Sequence, residues 1–136
     1  MKGVLVDSSV ILDVFENDPV WADWSETALV THATQLPLFI NPVIYAEVSI
    51  GFQRIEELEK AFAGCGLHML PIPKEALFLA GKAFLKYRKR KGSKASPLPD
   101  FFIGAHAAVE NLLLLTRDIK RIKTYFPTVK TVSPQT

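Results

Sequence analysis

The chain has 136 residues, 49% of them apolar and 22% charged, with a formal net charge of +2, which is the make-up of one ordinary globular domain, expected over residues 1–136. At that length roughly two thirds of the unfolded surface can be buried without help from a metal or a disulfide. The single cysteine, Cys65, excludes an internal disulfide and a zinc site built from several cysteines, and is expected to be a small buried filler in a reducing compartment.

No apolar run approaches the length of a membrane span, and the first residues lack the charged start and apolar core of a signal peptide, so a cytoplasmic protein is expected. The small net charge hides an asymmetry. Residues 1–81 carry four bases against eleven acids (−7), and residues 82–136 carry twelve bases against three acids (+9). The second half therefore suits a polyanionic or an acidic partner, and charge alone does not separate the two.

Taken in order, Lys2 to Ser9 opens with Val4, Leu5 and Val6 and stops at Asp7, Ser8 and Ser9. A short, partly β-branched apolar run reads as a buried parallel strand, in which both faces are covered and alternation is not needed. Asp7 then stands at the carboxyl end, where open α/β sheets form their ligand crevice. Taken alone, a helix N-cap before Val10 is the simpler account of Asp7. Val10 to Phe15 continues as a short helix with Asp13 and Glu16 on its wet side, broken by Asn17, Asp18 and Pro19. A second helix is expected over Val20 to Ala33, with Trp21, Trp24, Ala28 and Leu29 as its buried face and His32 facing the dipole at its end.

Leu36 to Ile40 reads as a strand. Asn41 as cap and Pro42 at the first helical position then start a helix that runs to about Phe52. Glu47 lies in its middle among apolar neighbours, so either it turns to solvent or a cation meets it. Arg54 to Ala63 is an amphipathic helix with Ile55, Leu58 and Phe62 inward, followed by a brief strand, Leu67 to Leu70, in which His68 is edge decoration. Lys74 to about Lys91 is the longest helix, with Ala76, Leu77, Ala80, Phe84 and Tyr87 as its buried stripe. Six cations fall among the nine residues from Lys86 to Lys94, more than a helix end needs to complement its dipole. They read either as a solvated face or as a polyphosphate contact. Gly92 to Pro99 reads as a polar loop.

Asp100 opens a helix, Phe101 to about Asn111, so apolar and so rich in small residues that it must be central; His106 within it is expected to be a hydrogen-bonded core residue. Leu112 to Leu115 repeats the grammar of the first strand, ending in Thr116, Arg117 and Asp118. A basic helix, Ile119 to Phe126, and an edge strand, Val129 to Val132, complete the chain. Asp7, Glu47, Asp100 and Asp118 thus form a set of acids whose separate local explanations are replaced by one if they share a site. Carboxylates gathered together repel unless a cation joins them, and oxygen donors suit a hard ion such as Mg²⁺ or Mn²⁺. With the basic clusters at 86–94 and 117–123 to hold a phosphate backbone, the residues read as a metal-dependent nuclease.

The stretches VLVDSSV (4–10), NPVIYAE (41–47), PLPDFFIGA (97–105) and LLTRD (114–118), followed by IKRIKTYFP (119–127), resemble the PIN-domain ribonucleases, and among them the VapC-type toxins of toxin–antitoxin pairs. The likeness runs from about residue 3 to residue 132. It implies an α/β fold, a three-layer α/β/α sandwich around a central parallel sheet, and a Mg²⁺- or Mn²⁺-dependent endoribonuclease. It also implies that Asp7, Glu47, Asp100 and Asp118 are the catalytic and metal-holding acids, with Asp7 and Asp100 as principal ligands. Ser9 and Thr116 match the supporting hydroxyls. A homodimer and a cognate antitoxin that occupies the acidic cleft are implied as well. Contact with RNA through Lys86, Arg88, Lys89, Arg90, Lys91 and Arg117 rests on charge alone. A noncatalytic RNA- or partner-binding module is the alternative, and it leaves Glu47 without a role. A phosphoaspartate receiver would want a second neighbouring acid, and a phosphatase an Asp where this chain has Ser9.

Overall fold

The computed structural model describes residues 1–91, the side chain of Lys91 excepted, and residues 98–134. Its elements run β1 (Val4–Val6), α1 (Ser8–Phe15), α2 (Ala22–Ala33), β2 (Leu38–Ile40), α3 (Pro42–Ser49), α4 (Ile55–Gly64), β3 (Leu67–Met69), α5 (Lys74–Lys91), α6 (Leu98–Glu110), β4 (Leu113–Leu115), α7 (Lys120–Tyr125) and β5 (Thr131–Val132). The strands form one all-parallel sheet in the order β3-β2-β1-β4-β5, flanked by helices as a three-layer α/β/α sandwich. Of the loop expected over Gly92 to Pro99, residues 92–97, with Lys94, lie outside the described residues, and Leu98 and Pro99 belong to the first turn of α6.

Parallel pairing requires helical crossovers, which cover both faces of the sheet and make its strands uniformly apolar. Val4, Leu5 and Val6 are completely buried in consequence. From β1 the chain builds outward through β2 to β3, then returns to lay β4 on the other side of β1. The order therefore reverses between β1 and β4, and in such sheets that reversal opens a crevice at the carboxyl ends. The β1–β4 register, Val4 with Leu113 through Val6 with Leu115, brings Asp7 level with Thr116.

The core beneath this crevice is held by Phe101, fully buried, whose ring lies 5.5 Å from Phe84, 5.6 Å from Tyr87, 5.3 Å from Tyr125 and 6.1 Å from Phe126. Gly104, one turn further along α6, is needed for the approach of α7. A Cβ there would stand 2.4 Å from the Phe126 ring and 3.0 Å from Ile122.

Several local expectations are corrected by packing. Asp13 is not on a wet face but 3% exposed, where Ser25 donates to it at 2.7 Å and Arg117 pairs with it at 2.9 Å. The inner face of α2 is Ala22, Ser25, Ala28 and Leu29, with Trp24 partly buried against the core beside it and Ser25 reaching Asp13. Trp21 precedes the helix instead and carries the Arg117 guanidinium 5.4 Å above its ring. Ile55 and Leu77 stay exposed at 63% and 44%, while Ala83 joins the buried stripe of α5. Cys65 is only half-buried, at the end of α4.

Asn41 caps α3 as expected, accepting from the Ile44 amide at 2.9 Å. Its other side-chain atom, the Nδ2 amide, donates to His106 Nδ1 at 3.1 Å, so His106 carries its proton on Nε2 and donates it to Glu110 at 2.6 Å. Glu110 in turn meets Lys2 at 2.9 Å. Burial holds the imidazole below its ordinary pKa, against the opposing pull of Glu110. A histidine kept neutral in the folded chain binds fewer protons than in the unfolded one. Its contribution is complete above the unfolded pKa of about 6.5 and is lost as pH falls through that value toward the lower folded one. Chemical denaturation of the wild type is expected to show stability declining from pH 7 to pH 5, and His106→Gln is expected to flatten that slope.

Candidate active site

Asp7 takes the N-cap position of α1 in extended backbone, yet its side chain makes no capping bond. Its Oδ2 instead accepts from Ser9 Oγ at 2.7 Å and from Thr116 Oγ1 at 2.9 Å, and its amide donates to the Leu115 carbonyl at 2.9 Å. The contrast with Asn41 removes the capping reading: Asn41 accepts from an amide of its own helix, whereas Asp7 accepts from the Ser9 hydroxyl and, across the sheet, from Thr116.

The turn after β4 is tied to the same point. Thr116 Oγ1 accepts from the Asp118 amide at 3.3 Å, Ser9 Oγ accepts from the Arg117 amide at 3.4 Å, and Asp118 Oδ1 accepts from the Lys120 amide at 3.1 Å. Arg117 is engaged within the chain, paired with Asp13 and stacked on Trp21. The Arg117–Asp13 contact is an ion pair without hydrogen-bond alignment, since Arg117 Nε is buried and finds no hydrogen-bond partner among the described residues.

Asp100 stands in the first turn of α6, where its Oδ2 accepts from the Arg121 guanidinium at 2.7 Å. Burial raises its pKa, the Asp7 charge raises it further and Asp118 adds to this, while Arg121 pulls it down. Glu47, half-buried in the interior of α3, is met by neither bulk solvent alone nor a cation: Ser8 Oγ donates to it at 3.0 Å. Burial pushes its pKa up, the Ser8 bond opposes that, and the charges of Asp7 and Asp100 push it up again. Acids distant in sequence therefore lie within one another's fields.

Asp7, Asp100, Thr116, Asp118 and Arg121 line one cleft of about 40 Å³ above an apolar floor of Ile103, Leu114 and Ile122. A water's share of liquid volume is about 30 Å³, so the cleft suits an ion-sized guest rather than a nucleotide. Glu47 is outside this lining and is coupled to it through charge. The donors are all oxygens, which fits a hard divalent ion. The spacing is less complete: among the described residues no three His, Cys, Asp or Glu side chains stand close enough to hold one ion between them. Arg121 holds Asp100 in its present position.

Arg121 and Ser8 are the members that sequence reasoning missed. The ion pair of Arg121 spans 21 residues and the bond of Ser8 spans 39, and no local pattern announces either. The basic helix did signal that a cation would follow Asp118, but not which acid it would meet. Lys86, Arg88, Lys89 and Arg90 lie on α5, with Arg88, Lys89 and Arg90 on its exposed last turn.

A raised carboxylate pKa means that the folded chain binds more protons than the unfolded one, so the charged form disfavours folding at neutral pH and the penalty is relieved as pH falls. Glu47→Gln, which keeps an acceptor for Ser8, is expected to raise stability at pH 7 by well under about 1 kcal/mol after solvent screening. Paired thermal melts at pH 7 and below pH 4 check this; the gain should vanish in acid.

An all-parallel α/β sandwich with its acids at the β1–β4 reversal is the class of protein that these elements define. The chain belongs to the PIN domain family, whose model matches residues 4–126. Among solved structures it is similar to VapBC2 from Rickettsia felis bound to a promoter DNA fragment, with 18% identity and a TM-score of 0.71 over 96% of this chain and 97% of that one. It is also similar to a toxin–antitoxin complex from Klebsiella pneumoniae, with 21% identity and a TM-score of 0.68 over 97% and 98% of the two chains. A third similarity is to FitAcB from Neisseria gonorrhoeae, with 18% identity and a TM-score of 0.67 over 97% and 98%. The search of curated proteins finds no match.

Proposed function

We propose that this chain, as one nuclease domain over residues 1–136, is a metal-dependent endoribonuclease and the toxin of a type II toxin–antitoxin pair. The observation that carries the reading is the convergence of Asp7, Asp100 and Asp118 on one small cleft at the sheet's reversal, with Glu47 coupled to them electrostatically. Asp7 and Asp100 would be the principal holders of a Mg²⁺ or Mn²⁺ ion, and Glu47 and Asp118 the residues that complete the site. When bound, such an ion lowers the pKa of a water and stabilises charge on a phosphoryl oxygen.

The chain's own residues do the rest. Ser9 and Thr116 hold the Asp7 carboxylate in one orientation by donating to a single oxygen, Oδ2, and leave Oδ1 out of that pair of bonds. Asp118, anchored through the Lys120 amide, is available to orient a water or accept its proton. Arg121 neutralises Asp100 in this structure, and for Asp100 to join a common ion that pair would have to open.

The likeness to the Klebsiella toxin–antitoxin complex supports an antitoxin as partner. The exposed stripe of Leu77, Phe78 and Leu85 on α5 supports a homodimer. No helix among the described residues is long and apolar enough to cross a membrane, which is compatible with the cytoplasmic location proposed here. The present Asp100–Arg121 pair favours one other reading, a noncatalytic RNA- or partner-binding module. Incubating the purified chain with total RNA in Mg²⁺ or Mn²⁺, with and without excess EDTA, separates the two. Cleavage that EDTA abolishes is expected; RNA left intact with metal present would leave the noncatalytic module.

A further inference from the structure

Beside the acid cleft lies a second and larger one of about 250 Å³, walled by Tyr87, Arg90, Lys120, Arg121, Thr124 and Tyr125. Asp118 and Arg121 line both clefts, so the two are neighbours with a shared wall. Their chemistry is opposite. The first is lined by three carboxylates and one guanidinium, whereas the second brings three cations and a hydroxyl against a single shared acid.

Arg90 and Lys120 are held for use rather than neutralised, and Arg121, though paired with Asp100, keeps further N–H donors. Arg90 lies 5.9 Å from the Tyr125 ring centre and Arg121 lies 5.5 Å from that of Tyr87, so both guanidiniums rest on aromatic faces that orient them without consuming their N–H donors. Arg121 spends one donor on Asp100. Arg90 and Lys120 have no carboxylate partner among the described residues. Preorganised, unneutralised cations in a concavity are a site for an anion. The volume falls below the ~300 Å³ at which pockets begin to house whole drug-sized ligands, so it suits a phosphate with part of its sugar.

We infer that this cleft is a phosphate subsite, gripping the phosphodiester next to the one that lies over the acids, with Arg90, Lys120 and Arg121 as its donors. The inference rests on the nuclease reading above and deepens it: a single strand whose scissile phosphate sits at Asp7 and Asp100 passes its neighbouring phosphate across Asp118 into the basic cleft. Because the grip is on backbone charge, it is independent of base identity.

The test is fluorescence anisotropy of a labelled, mixed-sequence single-stranded RNA hexamer, titrated with the full chain in EDTA at several salt concentrations. It compares the wild type with Arg90→Gln/Lys120→Gln and with Lys74→Gln, a cation at the opposite end of α5. The double variant is expected to bind at least tenfold more weakly, with a salt slope shallower by about 0.7 because one phosphate is no longer neutralised. Lys74→Gln should match the wild type. With Mn²⁺ restored, the double variant should show a raised KM and an unchanged kcat on the same hexamer. Unaltered affinity and slope in the double variant, while the wild type still binds and cuts RNA, would overturn the subsite and leave the nuclease reading standing. The same result joined by lost binding of a polyglutamate peptide would reassign the cleft to an acidic peptide. A wild type that neither binds nor cuts the hexamer would overturn both.

Discussion

Replacing Asp7 by Asn, or Asp100 by Asn, is expected to lower RNA cleavage by about 10²- to 10⁴-fold or more while the chain still folds. At position 7 the reason is local. Asparagine retains an oxygen to accept from Ser9 and Thr116, and Asp7 makes no capping bond whose loss would weaken α1, so the change removes charge and little else. At position 100 the charge removed is one whose ionised form is already disfavoured by burial and by Asp7, so folding does not depend on it, although Arg121 loses its ionic partner. Cleavage of total RNA in Mn²⁺, followed beside far-ultraviolet circular dichroism of each variant, is the measurement. Cleavage within threefold of wild type for both variants, with native spectra, would remove these two acids from the chemistry.

Phe101→Ala is expected to destabilise the chain by about 3–5 kcal/mol, the usual cost of deleting a fully buried aromatic ring. Phe101 touches rings from α5, from α7 and from the residue that ends α7, so its loss opens a cavity where three elements meet. The adjacent Gly104 is too tightly approached by Phe126 for a side chain at that position to refill the space. Because Asp100 precedes Phe101 and Arg121 lies on α7, the same cavity should loosen the Asp100–Arg121 pair. Urea denaturation checks the magnitude; a loss below about 1 kcal/mol would mean that the aromatic cluster is not the centre of this half of the core.

Much of this was legible before any coordinates. The apolar runs at Val4 to Val6 and Leu112 to Leu115 are buried parallel strands because strands covered on both faces have no reason to alternate, and this marks them in a single sequence. Asn41 and Pro42 start their helix for reasons confined to a few residues, so they too were readable. The four acids could be singled out as candidates too, since each stands at the end of an apolar run or in an apolar helix and calls for an explanation.

Other features depend on contacts between residues far apart in the chain. Asp13 fits the wet face of a short helix until Arg117, more than a hundred residues later, arrives to pair with it. Ile55 and Leu77 obey the helical period yet stay exposed, because periodicity says which residues share a face and not whether another element covers that face. The same limit applies to the acids. Composition and position determined which carboxylates are candidates for the site. The crossover that returns β4 to the side of β1 decided that Asp7 faces Thr116 and that Arg121 rests on Asp100, because charges interact by distance in space and only the folded path of the chain sets that distance.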